Sequence, residues 1–219
     1  MKVFERIVRD ELMEKCNHKL NANQHGFLPE KSCTTQMLNF IDSLTLSIND
    51  NVRTDVIYFD FQKAFDSVNH DIMLYKMKCQ FGIDGTLLKF IVNYLQHREQ
   101  CVVINGAQST SRNVISGVPQ GSILGPLFFV IFINDLSECV SEATNIALYA
   151  DDTKIWHRIE NWSDHDILQH DIDALFEWSL KNKMKFHPQK CKVLSIAQRA
   201  ELVTIVFLTC YLSHHSSIP

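Results

Sequence analysis

Apolar and polar positions change period several times along the chain, and each change marks an element. Leu87, Leu88, Ile91, Val92 and Leu95 fall at helical spacing and predict a helix over residues 87–97. Ile167, Leu168, Ile172, Leu175 and Phe176 predict an amphipathic helix over 164–184 with those side chains inward. Residues 1–20 and about 32–49 also read as helices. The run Thr54-Asp55-Val56-Ile57-Tyr58-Phe59-Asp60-Phe61 is instead rich in β-branched and aromatic residues, the mark of a strand, with Asp60 near its end. A helix-compatible run follows from Gln62 to Phe81, stopped by Gly82 and Gly85. Asn105-Gly106 between two short arms predicts a hairpin over about 101–115. Residues 192–196 predict a last strand. The pattern is α+β, without repeats or linkers. The longest apolar run, about 123–133, is too short to span a membrane and reads as a buried core helix opened by Pro126.

Candidate chemistry lies where these elements meet. Tyr149-Ala150-Asp151-Asp152 sits between two apolar arms, which predicts a hairpin with the acids at its bend. Adjacent side chains on a regular strand face opposite ways, so a cooperating pair belongs at a turn. Like charges held together need neutralising, and magnesium suits carboxylate oxygens. A solvated acidic turn is the plainer alternative for these four residues alone. Asp60, at a strand end, is a third acid of the same kind. Gly117-Val118-Pro119-Gln120-Gly121-Ser122-Ile123-Leu124-Gly125-Pro126 carries three glycines, which would let backbone approach a flat partner.

In this order, the aspartate-plus-aromatic strand, the Gly-Val-Pro-Gln-Gly-Ser loop and the Tyr-Ala-Asp-Asp hairpin resemble the reverse transcriptases of non-LTR, LINE-type retrotransposons. The Asn23-to-Ser32 segment is similar to that family's Gln-x-Gly-Phe fingers motif. Residues 128–136 are similar to the helix after the loop, and Trp178 with residues 182–191 to the motif after the hairpin. The resemblance covers roughly residues 1–197. It implies a right-hand polymerase with fingers, a palm built on an antiparallel sheet, and packed helices. Residues 1–53 would be fingers, 54–67 the metal-binding palm strand, 68–120 fingers with connecting helices and hairpin, and 121–199 palm. Residues 200–219 would be a truncated tail, with the chain cut at both ends and the thumb absent.

The implied activity is RNA-directed DNA polymerisation, phosphoryl transfer onto a primer 3′-hydroxyl governed by positioning and charge neutralisation. Two magnesium ions, or manganese in their place, would sit about 3.5–4 Å apart. Asp60, Asp151 and Asp152, with the backbone carbonyl of Phe61, are the implied ligands. Phe65 takes the place of the sugar gate that excludes a 2′-hydroxyl; a core aromatic is the alternative. Gln120 and Gly121 would line the incoming nucleotide and template base, with Lys31 a further substrate contact. Lys190 would donate a proton to leaving pyrophosphate, against the alternative of a surface lysine. Asp66 reads as capping or orienting locally rather than binding metal, His165 and His170 as solvated, and Trp156 and Trp178 as packing. Implied partners are an RNA template, a DNA primer and deoxynucleoside triphosphates; no membrane is implied, and the oligomeric state is open.

Composition changes this picture at one point. The chain has formal charge −4, which sits awkwardly with binding a polyanion. Local clusters at Lys2, Arg6, Arg9, Lys15, Lys19 and Lys31, and at Lys181 to Lys192, are where phosphate contacts would lie. Seven scattered cysteines suggest reduced thiols and an intracellular setting, nucleus or cytoplasm. A second reading is a catalytically inactive retrotransposon remnant without primer grip. A co-opted binding module has no positive feature in its favour.

Overall fold

The computed structural model describes residues 2–197. Helix α1 spans Lys2–Cys16, α2 Cys33–Asn49, strand β1 Arg53–Phe59, the single-turn α3 Ala64–Ser67, α4 His70–Cys79 and α5 Gly85–Leu95. Four two-residue strands follow: β2 Glu99–Gln100, β3 Val103–Ile104, β4 Ala107–Gln108 and β5 Arg112–Asn113. Then come α6 Leu124–Ile133, β6 Asn145–Tyr149, β7 Asp152–Ile159, α7 Trp162–Lys181 and β8 Lys192–Ile196. The chain divides into two compact units. One joins the residues up to Leu20 with Lys63–Ile133; the other joins Asn21–Gln62 with the residues from Asn134 on.

The second unit is built on an antiparallel sheet of order β6-β7-β1-β8. Central β1 is buried on both faces, so its sequence is nearly continuous in apolar residues rather than alternating. On one face Phe40 of α2 packs with Val56, Ala147 and Trp156. The Phe40 and Trp156 rings meet edge to face at 5.1 Å, and the Trp156 indole N–H donates to Ser43 Oγ at 2.9 Å. A capping box formed by Ser32 and Thr35 starts α2. Phe59, Phe61 and Phe186 pack together, with the Phe61 ring also near Trp178 of α7. Both tryptophans therefore pack, as their sequence context suggests.

Helix α7 starts two residues before its predicted limit and ends three before it, capped by Asn161 and Asp164. Of the five side chains that the periodicity turns inward, Leu168 and Leu175 are buried and Ile167, Ile172 and Phe176 half-buried; Trp178 is buried beside them. Asp171 is buried too, at 0% exposure, where sequence reading suggests only apolar residues. Its carboxylate accepts hydrogen bonds from the Ser141 N–H at 2.8 Å and hydroxyl at 2.9 Å, which replaces lost water. Asp55 in β1 is equally buried and accepts a fork from Arg53, at 2.7 Å from Nε and 2.6 Å from Nη2.

In the first unit α6 is apolar all round and buried, with Phe128, Phe129 and Phe132 fully enclosed. Helices α1 and α4 pack against it. Lys76 of α4 is buried and donates to the Phe132 carbonyl at 2.8 Å. The helix predicted across residues 62–81 is broken in two. Val68 turns extended, its carbonyl accepts from the Gly117 N–H at 2.8 Å, and Asn69 restarts the helix by capping the Ile72 N–H. Asn105 and Gly106, at φ 50 and 81, make the expected tight turn of an exposed hairpin. No helix among the described residues is long and apolar enough to cross a membrane. The apolar stretch 202–208 and the His214-His215 pair lie outside the described residues.

Removing the Asp55 carboxylate takes from the Arg53 guanidinium, half-buried at the start of β1, its ion-pair partner. Asp55→Ala should lower unfolding stability by about 2–4 kcal/mol in urea titration, and Asp55→Leu combined with Arg53→Met should recover most of it. A loss no smaller in the double variant would show that the pair matters for another reason.

Candidate active site

Two short turns in the second unit carry the acids. Tyr149 pairs with Asp152 across the β6–β7 hairpin, which leaves Ala150 and Asp151 as a two-residue turn. Ala150 holds φ 57, the left-handed region that a residue with a β-carbon seldom enters. Asp60 directly follows β1. The register pairs Phe59 with Thr153, so one step further sets Asp60 beside Asp152. Side chains two apart share a face, which puts Asp60 on the side of Tyr58 and Asp152 on the side of Lys154. All four line one cavity of about 350 Å³, together with Tyr149 and Lys190.

Lys190 reaches this cavity through a laced segment. Asp60 O accepts from the His187 N–H and Lys185 O from the Gln62 N–H, both at 2.7 Å, around a bridge between Phe61 and Phe186. The Lys190 N–H then bonds the His187 carbonyl at 2.9 Å. The lysine Nζ ends 3.3 Å from both oxygens of Asp60. These bonds use the Asp60 carbonyl and the Gln62 N–H, not the Phe61 carbonyl.

Lost hydration pushes the Asp151 carboxyl above its ordinary range, with the Asp60 charge adding to the rise and Lys190 opposing it. Asp152, though exposed at the rim, is raised the same way, first by desolvation and then by Asp151 and Asp60. The three acids therefore sense one another. Among the described residues no three Asp, Glu, His or Cys side chains converge tightly enough to hold a metal as they stand. The donor set nonetheless suits a hard cation: it is all oxygen and mutually repelling, and an ammonium already stands against one member.

The sequence reading overlooks what holds the turn. Gln24 is 2% exposed. Its Oε1 accepts from the Ala150 N–H at 2.9 Å and the Gly26 N–H at 2.7 Å, while Nε2 donates to the Ala150 carbonyl at 3.3 Å. Leu148 N–H donates to Asn23 O, and His25 N–H to Leu148 O. A β-carbon on Gly26 would stand 2.3 Å from Ala150 N. The Gln-x-Gly spacing is the one signal in the chain that could have pointed there. Lys31 does not join the acids; its Nζ donates to the Ala22 carbonyl at 2.8 Å.

The remaining candidates lie in the first unit. Phe65 is half-buried and stacks on Phe129 at 4.4 Å. Gln120 Nε2 donates to Asp66 Oδ1 at 2.9 Å, so Asp66 orients its neighbour locally, as expected. The glycines of the loop divide by role. A β-carbon on Gly117 would meet the Asp66 backbone at 2.9 Å, and one on Gly125 the Pro119 carbonyl at 2.6 Å. These two let the protein pack on itself, and only Gly121, at φ 77, has open space beside it.

A family model described as reverse transcriptase (RNA-dependent DNA polymerase) matches residues 1–212. The chain belongs to the reverse transcriptase family. The RNA-directed DNA polymerase from mobile element jockey of Drosophila melanogaster is 28% identical over 208 residues, covering 90% of this chain and 22% of that protein. The probable RNA-directed DNA polymerase from transposon X-element, also of Drosophila melanogaster, is 27% identical over 162 residues, covering 72% of this chain and 18% of that protein. The chain thus spans about a fifth of the length of the curated relatives it matches. Among solved structures, apo telomerase from Candida tropicalis truncated from its C-terminal domain superposes with TM-score 0.69 at 15% identity, over 90% of this chain and 41% of that one. That likeness speaks for the reverse transcriptase fold, a mixed architecture with an antiparallel sheet.

Raised carboxyl pKa values mean that the folded state binds more protons than the unfolded chain between the ordinary value of 3.8 and the raised ones. Stability contributed by these groups therefore falls as pH rises through that window. Asp152→Asn should accordingly raise the Tm in chelator at pH 7, by an increment that shrinks as pH falls toward the ordinary carboxylate range. A Tm gain independent of pH would rule out charge repulsion as its source.

Proposed function

We propose that the chain is the polymerising core of an RNA-directed DNA polymerase, which adds deoxynucleotides to a primer 3′-hydroxyl under an RNA template. What supports this most is the β1–β7 register, which sets Asp60 beside Asp152 at a turn that also carries Asp151. Three repelling carboxylates from distant segments at one end of the sheet have no evident structural use. The sheet unit would be the palm, and the first unit would contribute fingers.

Asp60, Asp151, Asp152 and the Phe61 carbonyl would hold magnesium, which when bound would ease loss of the primer hydroxyl proton and offset the negative charge on the leaving pyrophosphate. The chain's own groups have distinct tasks. The carboxylates fix where positive charge gathers and thus where the 3′-hydroxyl must lie. The Lys190 ammonium, at the cavity rim, would give a proton to the departing pyrophosphate oxygen. Gln120, steadied by Asp66, and the open backbone at Gly121 would border the incoming nucleotide. Phe65, its ring fixed against Phe129, would stand under the sugar and exclude a 2′-hydroxyl. Lys31 would contribute charge toward substrate from the segment it ties down.

Primer extension on an RNA template with magnesium tests the reading, on the chain together with the sequence that flanks it in its gene. Asp151→Asn should lower the rate by on the order of 10³-fold or more; a variant as fast as the parent removes Asp151 from the chemistry. A parent that folds yet extends no primer would favour the inactive remnant instead. Phe65→Val should raise the ratio of ribonucleotide to deoxynucleotide use by about ten-fold or more. An unchanged ratio would leave Phe65 a packing residue.

A further inference from the structure

We propose that Gln24 and Gly26 are positioning residues that set the direction of the Asp151 carboxylate by clamping the backbone of Ala150, an inference that rests on the polymerase reading of the acids. Ala150 sits in a conformation that L-residues adopt reluctantly, and the orientation of Asp151 follows from it. Gln24 grips that one residue twice, accepting from its N–H and donating to its carbonyl. A planar amide is the side-chain group that can do both at once from a single buried end. A carboxylate could not donate and would add a fourth negative charge near the acids; asparagine is one methylene short.

Gly26 completes the device. Its own N–H shares the Gln24 Oε1, and its missing β-carbon leaves the space that Ala150 N occupies. Around this grip, residues 23–25 bond Leu148 on both its N–H and its carbonyl, as a short parallel strand would. Every contact that reaches the hairpin falls on backbone at 148 and 150, and none on an acidic side chain. The clamp therefore acts on Asp151 through main-chain geometry. Gly26 is open to no larger residue, because any β-carbon there would push Ala150 away from Gln24.

The test uses the whole chain and Gln24→Met, which keeps length and bulk but removes both hydrogen-bonding ends. Exchange of the Ala150 amide hydrogen should quicken by about ten-fold or more, with the amides of residues 175–179 in α7 unchanged. In primer extension kcat should fall by about ten-fold or more while KM for deoxynucleotide stays within about three-fold. Gly26→Ala should give the same split. Adding Ala150→Gly to Gln24→Met should restore part of kcat, because glycine enters the left-handed region freely. A merely structural glutamine would give no such recovery. The inference is overturned if Gln24→Met keeps kcat within about two-fold of the parent, or if the Ala150 amide stays protected. If the parent itself extends no primer, the polymerase reading fails, and the clamp is judged by Mn2+ binding: weakening by about ten-fold in Gln24→Met upholds it, and equal affinity overturns it.

Discussion

Setting carboxylates side by side at one end of a sheet is the demand that the rest of the second unit answers. Repulsion between them opposes folding, and it is strongest where water is excluded. Only a rigid frame keeps such groups close. Strand β1 supplies it, paired on both edges and covered on both faces, with Val56 and Ile57 almost wholly enclosed. The Asp55–Arg53 fork is satisfied within the same strand, so the centre carries no unpaired charge of its own. At the rim the Lys190 ammonium offsets part of the repulsion, held there by the ladder of bonds between residues 60–62 and 185–187.

The two units handle glycine and strain differently. In the sheet unit a strained alanine sits at the turn and an unstrained glycine makes room for it from another segment. Strain is thus borne next to the acids and stabilised from outside the hairpin, the arrangement expected where geometry matters more than local comfort. In the other unit Gly117 seats one end of its loop on the Asp66 backbone, and Gly125 lets the other end close on the Pro119 carbonyl. That leaves Gly121 alone facing open space and fixes Gln120 by a hydrogen bond to Asp66. Rigidity comes from packing in the first case and from a closed loop in the second.

Much of this was legible in the chain. Apolar arms around Asp151 and Asp152 announce a hairpin, and β-branched residues before Asp60 announce a strand. What alternation cannot supply is which strands pair. β1 and β7 lie about a hundred residues apart, and only their register sets Asp60 beside Asp152. The break at Val68 was hidden because residues 62–81 keep a helical pattern across it; the extended turn is stabilised by Gly117, far along the chain. The burial of Asp171 has no signal in the helix pattern, because its partners at Ser141 come from outside the helix. Gln24 lies in the fingers motif, far from the acids in sequence, and a buried amide looks there like any polar loop residue.

The acidic balance of the chain also looks different once its charges have places. The cavity beside the acids is lined by Asp60 and Asp152 but also by Lys154 and Lys190. Lys154 is buried with its Nζ 4.2 Å from the centre of the Phe40 ring, and burial lowers its pKa. Two carboxylates therefore face two amines across one wall. A formal charge of −4 describes the whole chain, whereas screening limits what an approaching phosphate senses to roughly 8–10 Å at ordinary salt. Over that range Lys190 and Lys154 offset part of the charge of Asp60 and Asp152. On the polymerase reading proposed above, a phosphate would approach past these two amines, while the acids of the turn would draw in a divalent cation.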